Sequence, residues 1–153
     1  YILLVFFIFN IFGLVYLGDS GTYLLSLLIG VYLIKFNYNN DFLSPYYIAV
    51  LLWYPAFENF FSLFRRFFKK QKASSPDNLH LHHMIFLFLQ NKKFFSKKIV
   101  NPLCSFIILI FNLPGFFVAY NFPTKSFILL SIIFFNILLY IIIYYFFSKN
   151  LIK

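Results

Sequence analysis

Apolar positions fill this chain in long blocks, and polar residues are confined to breaks between them. Residues 1–17 are interrupted only by Asn10 and Gly13, and residues 22–36, 44–64, 99–120 and 124–147 form four more blocks. A membrane-spanning helix needs roughly 20 apolar residues, with a lower limit of about 17. The pattern therefore predicts an all-α, polytopic transmembrane helix bundle with about five spans. The first block opens without a basic segment before it or a small-residue cleavage site after it. It reads as the end of a membrane helix rather than a signal peptide, and the chain as the C-terminal part of something longer. The block at 22–36 is short for a span and must borrow from its flanks or cross a thin region. Pro55 in the third block and Pro114-Gly115 in the fourth predict kinks.

The breaks carry the chemistry. Gly18-Asp19-Ser20-Gly21 predicts a turn whose backbone approaches a ligand closely. The longest polar run, Arg65 to His83, reads RRFFKKQKASSPDNLHLHH and holds all three histidines, His80, His82 and His83. Ser75-Pro76-Asp77 carries the signals of a helix start: Ser at the cap, Pro at the first position, an acid in the first turn. A helix from Pro76 puts His80 and His83 on one face, with His82 elsewhere. Met84 to Leu89 is apolar but too short to span, and Lys92, Lys93, Lys97 and Lys98 close the loop.

Composition excludes a soluble domain. The chain is 62% hydrophobic and 11% charged, with a mean hydropathy of +0.83, whereas soluble domains are roughly 25% charged. The net charge of +9 points to the membrane rather than to nucleic acid. Of the 13 basic residues, all but Lys35 and Lys125 fall in the 65–98 loop or the C-terminal tail. Cytoplasmic loops are enriched in Lys and Arg, so the loop and the tail are expected to be cytoplasmic. Asp19 lies two spans from Arg65 and is expected on the same face. The single cysteine, Cys104, sits in an apolar block and reads as a packing residue.

Most of these candidates admit more than one reading. The histidines beside a helix N-terminus suit an anionic substrate. Solvated histidines and a zinc site stay open, although no cysteine is near. Asp19 is either a metal ligand or a helix-capping residue. Arg65 and Arg66 either clamp phosphate bidentately or serve, like the lysines, as topogenic charges that meet anionic headgroups. Glu58 lies about two turns inside the basic boundary, where a carboxylate is costly and is a functional candidate by default.

These residues, in this order, resemble the polyprenyl-phosphate N-acetylhexosamine-1-phosphate transferases, bacterial membrane enzymes related to phospho-MurNAc-pentapeptide translocase. Tyr16-Leu17-Gly18-Asp19-Ser20-Gly21-Thr22 resembles the family's GD-[AST]-G-[ST] turn. Pro55, Glu58 and Arg65-Arg66 follow its P-x-x-[DE]…R-R pattern. Ser75-Pro76-Asp77 with His80-Leu81-His82-His83 resembles its S-P-x-x-P-D-x-x-H-[IL]-H-H loop. The resemblance implies that residues 1–153 are the C-terminal portion of a membrane-embedded sugar-1-phosphate transferase domain, with its cytoplasmic loop at 65–98.

The implied reaction moves sugar-1-phosphate, GlcNAc-1-phosphate first among the options, from a UDP-N-acetylhexosamine to undecaprenyl phosphate. UMP leaves, and the product starts a cell-surface glycan. The cofactor is Mg²⁺, or Mn²⁺ in its place. The location implied is the bacterial cell membrane, with the active site facing the cytoplasm; a homodimer stays open. Carried over, Asp19 is a metal ligand and catalytic with His80 and His83, while Arg65, Arg66, His82 and Asp77 contact substrate. The family's acidic pair and its Asn/Asp-rich loop would lie upstream, so the fragment alone is expected to be inactive. Glu58 stands where many members have Asp. The rival reading is a non-catalytic polytopic protein or transporter fragment with a lipid-binding basic loop. For that reading Asn10, Asn112 and Asn136 are the few mid-span polar candidates.

Overall fold

A computed structural model describes residues 1–70, 79–91 and 97–151, and these are helical with no strand among them. Six helices follow in order: α1 Ile2–Ile11, α2 Gly18–Tyr38, α3 Tyr46–Phe68, α4 Leu81–Asn91, α5 Lys97–Asn121 and α6 Ser126–Leu151. Four of them, α2, α3, α5 and α6, are long and apolar enough to cross a membrane. The protein is membrane-embedded. The described residues thus hold four candidate spans against about five expected.

The difference lies in the first block. It gives only the ten-residue α1, about 15 Å long, half the thickness of a hydrocarbon core of about 30 Å. Gly13 takes a left-handed φ of 68°, and the Asn10 side chain donates to the Val15 carbonyl at 2.9 Å. Together they turn the chain away from the helix axis. The second block does borrow from its flank. Gly18 adopts φ 67° as the pivot, and Asp19, Ser20 and Gly21 form the first turn of α2 instead of a separate loop. The resulting 21 residues span about 32 Å.

The chain divides into two compact units, Tyr1–Leu43 and Ser44–Lys153. In the first unit neither α1 nor α2 has a buried residue, and most of their apolar side chains are exposed. The second unit is a three-span bundle with a short helix at one end. Ser44 N–H donates to the Pro123 carbonyl at 3.0 Å, and the Ser44 and Ser126 hydroxyls share a hydrogen bond of 2.8 Å. The N-terminal ends of α3 and α6 are therefore neighbours. At their other ends Arg65 meets Tyr144. The two helices run parallel, with α5 antiparallel between the loops that join them.

Inside a bilayer, helices associate through packing and interhelical hydrogen bonds more than through the hydrophobic effect. Here the packing is aromatic. Tyr140 is fully buried on α6, with Phe57 and Phe61 of α3 set edge-on against it at ring separations of 5.1 and 5.5 Å. Phe61 also meets Tyr144 at 4.8 Å. One glycine matters for approach. A side chain at Gly115 on α5 would place its Cβ 3.1 Å from Asn136 Nδ2 on α6 and 3.9 Å from Trp53 Nε1 on α3. Asn112 and Asn136 are buried in this bundle, and the Asn112 amide donates back to the Ile108 carbonyl at 2.8 Å. Helix α3 continues through Pro55, and α5 through Pro102 and Pro114.

Candidate functional site

The site is built by α4, which lies at the Arg65 end of the bundle. Leu79 and His80 are not helical, and α4 begins at Leu81. The expected helix from Pro76 through His83 is therefore corrected. Ser75, Pro76 and Asp77 lie outside the described residues. The Met84 amide donates to the His80 carbonyl at 3.0 Å, which makes His80 the residue flanking the helix.

Two charged residues of α3 hold this entry. Glu58 and Arg65 are seven apart, two turns along one face. Arg65 Nη1 donates to the Leu79 carbonyl at 2.8 Å and to the Tyr144 hydroxyl at 2.7 Å. Its guanidinium also sits 5.5 Å over the Tyr144 ring, a cation–π geometry. Glu58 is 7% exposed. Its Oε1 accepts the Leu81 N–H at 2.9 Å and lies 3.1 Å from His80 Nδ1. A buried carboxylate in a span is costly unless donors surround it, and here a helix N-terminus supplies the first donor. The hydroxyls of Tyr54 and Tyr140 lie near the same carboxylate. Both hydroxyls and Glu58 Oε2 are buried and make no hydrogen bond among the described residues.

The three histidine rings are neighbours. The His80 and His82 rings lie 5.5 Å apart and 12° from parallel, and His82 and His83 are 5.4 Å apart. His82 does not point away, as a helix from Pro76 would have it. It lines a cavity of about 450 Å³ together with His83, while His80 turns to Glu58. Asn101 and Ser105 of α5 add polar groups to this cavity, and Tyr54, Phe86, Cys104 and Ile108 its apolar wall. Cys104 is buried and donates its thiol hydrogen to the His82 carbonyl at 3.1 Å. His82 keeps an exposed edge, yet enough of the ring is turned inward that desolvation holds its pKa below the usual value. Glu58 opposes that shift, and His80 and His83 add to it.

Both arginines of the pair make hydrogen bonds within the bundle. Arg65 is engaged as above. Arg66 donates to the Ser62 hydroxyl at 3.2 Å and to its carbonyl at 3.4 Å. Asp19 belongs to the first unit, exposed in the first turn of α2, and the histidines to the second. Among the described residues no three His, Cys, Asp or Glu side chains gather to hold a metal ion. Asp19 offers one exposed carboxylate, and Mg²⁺ takes one or two of these beside substrate phosphates.

The chain is similar to a probable undecaprenyl-phosphate N-acetylglucosaminyl 1-phosphate transferase of Bacillus subtilis (strain 168). The two are 31% identical over 75 residues, which is 48% of this chain and 21% of the relative. No family model and no solved structure matches the chain. The likeness is a partial one, to a bacterial enzyme named for transfer of a sugar 1-phosphate to a polyprenyl phosphate.

Proposed function

We propose that the chain is part of a polyprenyl-phosphate sugar-1-phosphate transferase. The observation that carries this reading is the histidine cluster at the start of α4, lining a cavity of about 450 Å³ at the basic end of a membrane bundle. The partial match to a transferase of that name supports it. In the proposed reaction a phosphate oxygen of undecaprenyl phosphate attacks the β-phosphorus of a UDP-N-acetylhexosamine. The bond from that phosphorus to the bridging oxygen breaks, and UMP leaves with the electron pair.

Phosphoryl transfer needs positioning and charge neutralisation more than covalent help. His82 and His83 offer imidazole groups to the diphosphate from one wall of the cavity, and Asn101 and Ser105 offer hydrogen bonds from the other. A neutral His82 can donate one hydrogen bond without adding charge. Bound Mg²⁺, with Asp19 as one ligand, would supply charge neutralisation between two phosphate groups. The site is proposed to face the cytoplasm of a bacterial cell.

The test uses the full-length protein in bacterial membranes, with labelled UDP-N-acetylglucosamine and undecaprenyl phosphate. Lipid-linked label and an equal amount of UMP are the expected products. Absence of both, with well-folded protein and with UDP-N-acetylgalactosamine also tried, would overturn the reading.

A further inference from the structure

The geometry points to Glu58 as a positioning residue that fixes the start of the histidine helix from inside the membrane span. A helix leaves its first four N–H groups without partners, and they are usually met by a local Ser, Thr, Asp or Asn. Here a carboxylate from another helix meets the Leu81 N–H, at 2.9 Å. The same oxygen lies 3.1 Å from His80 Nδ1. A carboxylate at that nitrogen selects the tautomer with the proton on Nδ1 and fixes the ring plane.

Arg65, two turns along α3, holds the Leu79 carbonyl from the other side. Residues 79–81 are therefore gripped at a carbonyl, a ring and an amide by one face of one helix. His82 and His83 follow in the first turn; the His82 ring stacks on His80, and His83 lies beside His82. Their position over the cavity is thus set by α3. Oε1 acts in this arrangement as an acceptor, and an amide carbonyl can accept in the same way. A residue serving in the chemistry as an acid, a base or a metal ligand could not be replaced so.

The inference rests on the transferase reading only where turnover is measured. The experiment compares Glu58→Gln and Glu58→Leu with wild type in the full-length protein in nanodiscs. Hydrogen exchange is followed in peptides covering 79–86 and 136–145, and turnover is followed in parallel. In Glu58→Leu the 79–86 peptide should exchange about tenfold faster or more, since a lost cap is felt at that level, while 136–145 stays protected. In Glu58→Gln exchange should stay within about threefold of wild type and turnover within about tenfold, while Glu58→Leu loses most turnover. Unchanged exchange at 79–86 in Glu58→Leu would overturn the proposal. So would a Glu58→Gln protein that keeps its protection yet is as inactive as Glu58→Leu. If Glu58→Leu loses protection at 136–145 too, Glu58→Gln decides alone by the same limits. If wild type shows no turnover, the transferase reading fails by itself and exchange still decides the role of Glu58.

Discussion

Arg65 on α3 and Tyr144 on α6 meet at 2.7 Å between guanidinium and hydroxyl, at the end of the bundle that carries the histidines. The contact joins two parallel spans, and through the Leu79 carbonyl the same side chain reaches the entry to α4. Tyr144→Phe removes the acceptor and keeps the ring. A hydrogen bond to a charged group contributes about 1.5–3 kcal/mol, so thermal unfolding in detergent should show a loss at the lower end of that range. Arg65→Ala should lose more, because the Leu79 contact and the ring contact go as well. Equal stability of wild type and both variants would reduce Arg65 to a topogenic charge.

Gly115 makes a second, independent test of the packing. Its missing side chain lets α5 pass close to Asn136 and Trp53. Overfilling a packed interior costs about 1–3 kcal/mol. Gly115→Leu should lower the unfolding temperature by several degrees, and Gly115→Ala by less. A Leu variant as stable as wild type would mean that α5 and α6 stand further apart.

The bundle was legible in the sequence because length and hydropathy alone decide what can cross a bilayer, and α3, α5 and α6 fall where the apolar blocks fall. The start of α4 was not. Ser75-Pro76-Asp77 is a strong local signal, but the N-terminus is completed at Leu81 by a carboxylate 23 residues earlier. Helical periodicity shows that Glu58 and Arg65 share a face. It does not show which backbone lies against that face. The direction of His82 is hidden from the sequence for the same reason, since with α4 starting at Leu81 the His80 ring lies outside the helix and parallel to that of His82.

His82 gives a pH test. Burial lowers its pKa from 6.5, so the folded state holds fewer protons on this ring than the unfolded state does. The sign follows: this contribution to stability is present above the unfolded value and is lost as pH falls through the depressed folded value. Imidazole resonances of His82, assigned by comparison with His82→Gln, should titrate below pH 6.5. A midpoint at or above that value would show the ring to be solvated.

Topology is expected from the charge count, with Ser74 cytoplasmic and Asn39 external. Cys104 must first be replaced, and Cys104→Ser keeps a donor for the His82 carbonyl. In that background, an impermeant thiol reagent on intact cells should label Asn39→Cys and spare Ser74→Cys. The reverse pattern would invert the protein in the membrane.

Asp19 carries the metal side of the proposal, and Asp19→Asn separates the two roles open to it. The residue sits exposed in the first turn of α2, where Leu17 caps without a side-chain hydrogen bond. An acid there gains about 0.3–1 kcal/mol from the helix dipole, and losing that should barely move unfolding. A metal ligand behaves differently. Asn keeps the shape and the carbonyl oxygen but removes the charge, and Mg²⁺ relies on one or two carboxylates beside substrate phosphates. The full-length Asp19→Asn protein should insert normally, because no basic residue changes. Its turnover should collapse, and any remainder should need much higher Mg²⁺ or Mn²⁺. The measurement is rate against metal concentration for both proteins, beside a thermal unfolding curve for each. Coincident rate curves would leave Asp19 as a helix-terminal charge and remove the metal from this residue. A shifted rate curve with unchanged unfolding is the expected result, because a dipole contribution alone cannot alter a requirement for divalent cation.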